Sequence, residues 1–195
     1  MWRGYPYDAM EIRPLTSDNL RDLADIDATI ESTAYLHVER GGEGTAFSLR
    51  VEERPLRSKQ VTSNPIGDEL TFTLKQLASG ADDGVALVAE HEGQIVAVAV
   101  AQPDPARGTM RLIDVRVDYD FRRQGIGSAM VYQIIQRTRD AELRAVAAET
   151  LTDNHPASQF LLKTGFELAG ADTRRNSNHD MVKEQATLFW YASLD

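Results

Sequence analysis

Alternating strand-like and helix-like stretches along all 195 residues predict an α/β (α+β) fold, a mixed sheet flanked by helices. Three observations carry that prediction. Residues 85–91, 94–101 and 110–118 read as strands in quick succession, joined by Glu92-Gly93 and by a turn holding Pro103, Pro105 and Gly108, which makes an antiparallel meander. Residues 127–139 then place Met130, Val131, Ile134 and Ile135 on one helical face. Finally, no linker composition or internal repeat interrupts the chain, so residues 1–195 read as a single domain with an N-terminal hairpin and loop elaboration at about 32–66.

Taken in order, residues 9–15 alternate as a short opening strand ended by Pro14. Thr16-Ser17-Asp18 reads as a helix N-cap, followed by Leu20, Leu23, Ile26 and Ile30 at helical spacing. Residues 33–40 and 45–53 read as a hairpin around Gly41-Gly42-Glu43-Gly44, and 54–67, with Pro55 and Pro65, as a loop. Leu70, Leu74 and Leu77 mark a helix that stops at Gly80. Beyond the meander and its helix come a strand at 143–150, a helix at 156–163, the start of a strand at 166–169, a polar loop at 172–183 and a closing strand at 186–192. Trp190 and Tyr191 read there as sheet and core residues.

Charge and composition exclude several classes. Lys and Arg total 21 against 30 Asp and Glu, a net charge of −9. That balance argues against nucleic acid, whose affinity rests on basic side chains, and suits a cationic partner. With no cysteine in the chain, thiolate nucleophiles, Cys-ligated zinc and disulfides are excluded. His37, His91, His155 and His179 show no metal-ligand spacing, so no metal is expected. The longest apolar run, 95–101, falls far short of the ~18 residues of a membrane span. Arg3, Asp8 and Glu11 without an apolar segment do not read as a signal peptide, so the expectation is a cytoplasmic protein without a membrane partner.

The sharpest local feature is Arg122-Arg123-Gln124-Gly125-Ile126-Gly127-Ser128, set between a strand and an amphipathic helix. Two glycines permit a tight turn and a close backbone approach, while the helix start gathers unpaired N–H groups and the positive end of the dipole. With two arginines beside it, the turn reads as a diphosphate cradle. The spacing of a GxxxxGK[ST] loop is missing, and Met130 stands where a dinucleotide GxGxxG would need its third glycine.

From Ile113 to Gly127 the chain resembles motif A of the GNAT superfamily of acyl-CoA-dependent N-acetyltransferases, whose [RQ]-x-x-G-x-[GA] is matched by Arg122, Gly125 and Gly127. Ala148-Glu149, Asn154 and Lys163-Thr164-Gly165-Phe166 resemble the later landmarks of the family. The tail from Thr164 and the early hairpin look most like the streptothricin acetyltransferase group, with ribosomal-protein alanine acetyltransferases the nearest rival.

The resemblance implies a mostly antiparallel central sheet splayed between two parallel strands, and acetyl-CoA as co-substrate. Pantetheine is pseudo-peptidic and would pair with an open strand edge at Val115, Arg116 and Val117. The diphosphate would meet Arg122, Arg123, Gln124, Gly125, Ile126, Gly127 and Ser128, and Asn154 would hold the arm or the substrate. Asn154 reads equally well as the cap of the helix that follows. An amine of pKa ~10.4 is neutral in about one part in 2500 at pH 7, so a base is needed. Glu149, at a strand end where partial burial would strengthen it, is the first candidate, and Asp114 the alternative. Leu161, beside Phe160, stands where related enzymes often carry a Tyr acid, leaving Tyr35 or Tyr132 as conceivable substitutes. The implied function is N-acetylation of a small cationic amine, such as a streptothricin-type antibiotic with resistance as the outcome. A peptide or protein amine, and a catalytically weak acyl-CoA sensor, stand as alternatives, in a monomer or homodimer.

Overall fold

The computed structural model describes residues 10–194, so Ala9 of the opening strand and the extreme N-terminal residues lie outside it. The elements are β1 (Met10–Pro14), β2 (Ile30–Glu43), β3 (Ala46–Thr62), α1 (Asp68–Ser79), β4 (Val85–His91), β5 (Gln94–Asp104) and β6 (Thr109–Val117). They continue with α2 (Ile126–Asp140), β7 (Ala145–Leu151), α3 (His155–Lys163), β8 (Glu167–Asp172) and β9 (Thr187–Ser193). Seven strands form one mixed sheet in the order β1-β4-β5-β6-β7-β9-β8, while β2 and β3 form a separate two-stranded sheet. Among the described residues, β6 and β7 are the parallel neighbours, joined through α2, and every other pairing is antiparallel. No helix among them is long and apolar enough to cross a membrane.

β5 is the spine of the sheet. Residues 95–101 are all buried, because apolar layers cover both faces of this strand. On one face lie α2 through Met130, Val131 and Ile134, α3 through Leu161, and the root of the hairpin through Leu36 and Val38. On the other face, α1 and the segment after β1 bury Leu15, Leu23, Ile26 and Leu74 against Val88, Val98 and Val100. This second layer reaches only as far as Ile113, and among the described residues no helix packs on that face of the sheet beyond it.

The parallel pairing of β6 and β7 is short. It runs from Thr109↔Ala145 to Leu112↔Ala148 and stops. At that point the β5–β6 register shifts, with Val100 opposite Asp114 and Ala101 opposite Leu112, so Ile113 is an extra residue on β6. A bulge of this kind bends its strand and disrupts the ladder locally. The two parallel strands therefore diverge beyond Leu112, giving the opened sheet that the sequence resemblance implies.

Two expectations are corrected. The stretch after Thr16 forms two 3-10 turns, Ser17–Leu20 and Asp22–Asp25, and not an α-helix, with Ile30 already opening β2. Its apolar residues recur at threes, which suits i→i+3 turns, and the carbonyls of Asp27 and Thr29 accept from the Arg122 guanidinium. Residues 54–62 are strand and not loop, because β3 continues through Pro55. Pro55 sits at the register irregularity between Ser32 and Ala34, where a missing N–H breaks no ladder bond. Lys59 and Glu31, 2.6 Å apart, then hold the continuing strand to β2.

Asp114 and Arg116 point away from the α2 face. Arg116, 6% exposed, donates to the Asp114 carboxylate at 2.5 Å and to the Asn64 carbonyl at 3.0 Å. Removing one partner of such a pair strands the other charge. Arg116→Met is expected to lower the free energy of unfolding by about 3 kcal/mol, measured by urea denaturation.

Candidate active site

The divergence of β6 from β7 leaves backbone groups without partners. Asp118 N–H donates to Val96 O, and Arg116 and Asp114 stand opposite Val98 and Val100 in the same phase. In an antiparallel ladder, residues exchanging hydrogen bonds alternate with residues whose N–H and C=O point outward. Val115 and Val117 therefore direct their backbone groups into the gap, while their side chains pack in the layer with α2. On the far side, Thr152 N–H donates to Ala186 O in phase with Thr150↔Leu188 and Ala148↔Trp190, so the Glu149 backbone also faces the gap. The slot thus has a free strand edge on both walls.

The glycine turn closes the C-terminal end of this slot. Arg123 and Gly125 both take left-handed conformations, with φ of 64° and 85°, and Gly125 is the N-cap of α2. Among the described residues, the backbone N–H groups of 123–128 have no backbone acceptor. Consecutive N–H groups in a turn with left-handed residues form an anion-binding nest, and the start of α2 adds its positive dipole end. Gly125 is needed for its φ, since a Cβ there would meet nothing within 4 Å. Gly127 serves differently: its Cβ would lie 3.3 Å from Phe160 and 3.4 Å from Val117, so its bareness seats α3 on α2 and not a ligand on the turn.

The two arginines separate. Arg123 is exposed beside the nest. Arg122 is not a free cation: it donates to the carbonyls of Val117 at 3.0 Å, Thr29 at 2.7 Å and Asp27 at 3.1 Å, and lies over the Tyr119 ring. It ties the segment before β2 to the end of β6. Gln124 is likewise engaged, with its side-chain amide 3.4 Å from the Asp120 carbonyl.

Glu149, just past the last β7 residue paired with β6, turns its side chain to the face of the sheet opposite α2. Its side chain is partly covered, at 42% exposed. Nη2 of Arg175 lies 3.0 Å from both carboxylate oxygens. The pair stands on the wall of a cleft of about 470 Å³ that also presents Asp104, Arg107, Arg111, Phe189 and Tyr191. A hydrogen bond from Arg107 holds the Asp104 carboxyl below its usual range, and Asp104 in turn raises the Arg107 guanidinium, with Glu149 adding to that field.

Asp114 does not reach this cleft, because it is paired with Arg116 and sits off the cleft wall. Asn154 acts as the cap of α3, accepting from Ala157 N–H at 3.3 Å, beside a small pocket of about 60 Å³ at the hairpin root. Leu161 is buried in the core, and Tyr132 is exposed on α2. Trp190 is a core residue whose indole N–H donates to Thr150 Oγ1 at 2.8 Å. Tyr191 corrects the expectation made for it, since it lines the cleft. Arg175, Phe189 and Tyr191 were missed. Strand alternation separates Phe189 and Tyr191 from Leu188 and Trp190, so period two carried that signal. Nothing in the polar run 172–183 singles out Arg175.

An open parallel edge, an anion nest at a helix start and a carboxylate across the gap form one constellation. The sequence pattern of the acetyltransferase (GNAT) family matches residues 49–166, and the chain belongs to that family. It is 31% identical over 78 residues to streptothricin acetyltransferase A of Bacillus subtilis (strain 168), covering 40% of this chain and 44% of that protein. It is 36% identical over 87 residues to mouse N-acetyltransferase 8B, covering 43% of this chain and 38% of that protein. The chain thus matches less than half the length of these relatives.

Solved structures share the fold more widely. A Bacillus anthracis protein assigned as a streptothricin acetyltransferase, in complex with acetyl coenzyme A, superposes with a TM-score of 0.76 at 18% identity over 96% of this chain and 98% of that one. A nourseothricin acetyltransferase gives 0.76 at 19% identity over 96% and 99%. The ribosomal-protein-S18-alanine N-acetyltransferase of Escherichia coli gives 0.60 at 17% identity, over 96% of each chain. At these identities the likeness is one of fold.

Gly125→Val forces a branched side chain into a left-handed φ and distorts the nest. It is expected to weaken acetyl-CoA binding about tenfold, the loss of roughly one good hydrogen bond to an anion, as read by calorimetric titration. Unchanged affinity would remove the turn from the diphosphate site.

Proposed function

We propose that this protein is an acetyl-CoA-dependent N-acetyltransferase that moves an acetyl group to the primary amine of a small cationic acceptor. The observation that carries this reading is the slot itself, with the backbone groups of Val115 and the Val117 N–H facing Glu149 across the gap. Pantetheine amides fit such an edge as an added strand, and the nest at residues 123–128 suits the diphosphate. The relatives named as streptothricin acetyltransferases support an antibiotic of that type as the first acceptor to examine.

The chemistry follows from the residues. Glu149 accepts a proton from the acceptor's ammonium, directly or through one water, and the freed amine attacks the thioester carbonyl. A C–N bond forms, the C–S bond breaks, the nitrogen gives up its second proton to water as the amide forms, and the sulfur leaves as thiolate. Val117 N–H, pointing into the gap, is the donor available to the carbonyl oxygen as its charge develops. Neither Leu161 nor Phe160 can protonate the leaving group. A thiol of pKa ~8.5 leaves without such help far more readily than an alkoxide.

A peptide amine is the second reading. It is supported by the likeness, over 96% of the chain, to a ribosomal-protein alanine acetyltransferase. Thiol release in the presence of streptothricin, aminoglycosides, polyamines and peptides with N-terminal Ala or Gly separates the two. Turnover confined to non-peptide amines is the expected result, and strict preference for peptides would replace the small-molecule reading.

Glu149→Gln is expected to lower kcat by about 100-fold or more, most strongly at low pH, where almost no acceptor is already neutral. An unaltered pH–rate profile would place the base elsewhere.

A further inference from the structure

The chain uses its arginines in two ways. Arg116 and Arg122 are locked, the first buried against Asp114 and the Asn64 carbonyl, the second on three backbone carbonyls. Arg175 is held differently. Its guanidinium has Glu149 as hydrogen-bond partner and rests over the Phe189 ring at 5.4 Å, with no backbone carbonyl of the described residues among its acceptors. It is 44% exposed, and so displaceable.

The loop that carries it is well anchored next door. Asp180, 1% exposed, accepts from Asn176 N–H at 2.9 Å and from the Ser177 hydroxyl at 2.6 Å. Arg174 N–H donates to Asp172 Oδ1 at 2.8 Å on the other side. The backbone at 175 is thus set while its side chain is free to swing, and the face of Phe189 offers it a resting place by cation–π attraction.

A guanidinium nitrogen equidistant from both oxygens of Glu149 occupies the position that an acceptor's ammonium needs. We propose that Arg175 is a specificity-determining residue that stands on Glu149 in place of the acceptor's ammonium, so that the cleft admits amines whose own cation displaces a guanidinium. This rests on Glu149 being the acceptor-side carboxylate. It selects for strongly cationic amines by competition, and it keeps Glu149 partnered while the cleft is empty. The neighbouring Asp104–Arg107 pair, 2.6 Å apart with Arg107 69% exposed, repeats the arrangement on the same cleft and offers a second cation of the acceptor the same exchange.

Spermidine, titrated calorimetrically into the CoA-saturated protein, tests this without turnover. Arg175→Gln is expected to bind spermidine about fivefold more tightly than the native chain, the scale of one exposed ion pair. Arg175→Lys, which keeps the competing cation, is expected to retain the native affinity, and Glu149→Gln in the Arg175→Gln background to cancel the gain. Equal or weaker binding by Arg175→Gln overturns the proposal, weaker binding meaning that Arg175 itself grips the acceptor. No binding by either form overturns it as well. The acetyltransferase reading fails on a separate result, the absence of thiol release with every amine.

Discussion

The inserted residue Ile113 is the constraint on which the rest of the site depends. A parallel pair that continued past Leu112 and Ala148 would satisfy the backbone of β6 and β7 and leave nothing for a ligand to pair with. The bulge ends that pairing after four residues and bends β6 away. Unpaired strand edges inside a domain cost free energy unless something meets them. The chain supplies one partner itself, Arg122 on the Val117 carbonyl, and leaves the Val115 groups and the Val117 N–H facing the gap. The same divergence sets where α2 begins, where its N-terminus points and how far Glu149 stands from the opposite wall.

Side-chain layers decide which mouth of the slot is open. On one face, α2, α3 and the hairpin root cover the sheet from β4 to β9. On the other, α1 and the 3-10 turns stop at Ile113, and among the described residues no helix covers the strip carrying Glu149, Phe189 and Tyr191. The anion nest therefore opens at the end of β6, and the carboxylate opens onto a cleft of about 470 Å³ on the uncovered face. An acyl carrier and an amine can meet at the gap from different directions, which is the arrangement direct transfer requires.

Charge is distributed to match. The −9 of the whole chain is a poor guide to the site, where arginines outnumber acids along the cleft. Arg107 and Arg175 each cover a carboxylate, so the acidity an amine would use is present but masked by the chain's own cations. Exposed pairs of this kind hold by about 1 kcal/mol or less, so the mask is easily exchanged. Arg116 and Arg122 do the opposite work, spending their donors on fixed partners that brace β6 against the segments at 27–29 and 64.

Local signals in the chain were enough for most of the frame. Glycines at 80 and 125, the apolar stripe of α2 and the alternation of β4 to β6 are properties of neighbouring residues, so they can be read without the fold. The strand edge at Val115 and Val117 and the glycine turn were legible because motif A concentrates them around a single strand–helix joint, and Glu149 because Ala148-Glu149 resembles a later landmark of the family. The extended course of β3 through Pro55, and the 3-10 turns where spacing promised a helix, were not, since each is imposed by a partner distant in sequence, Ala34 for one and Arg122 for the other. Arg175 belongs to the same kind: its neighbours in the chain are polar loop, and only the packing of β7 beside β9 brings it to Glu149. Sequence alone determined the fold class, the family and the residues around the gap, because these rest on local periodicity and contiguous motif. Tertiary structure decided which arginines are braces and which is free to move, because a guanidinium's role is set by the acceptors that folding places within its reach.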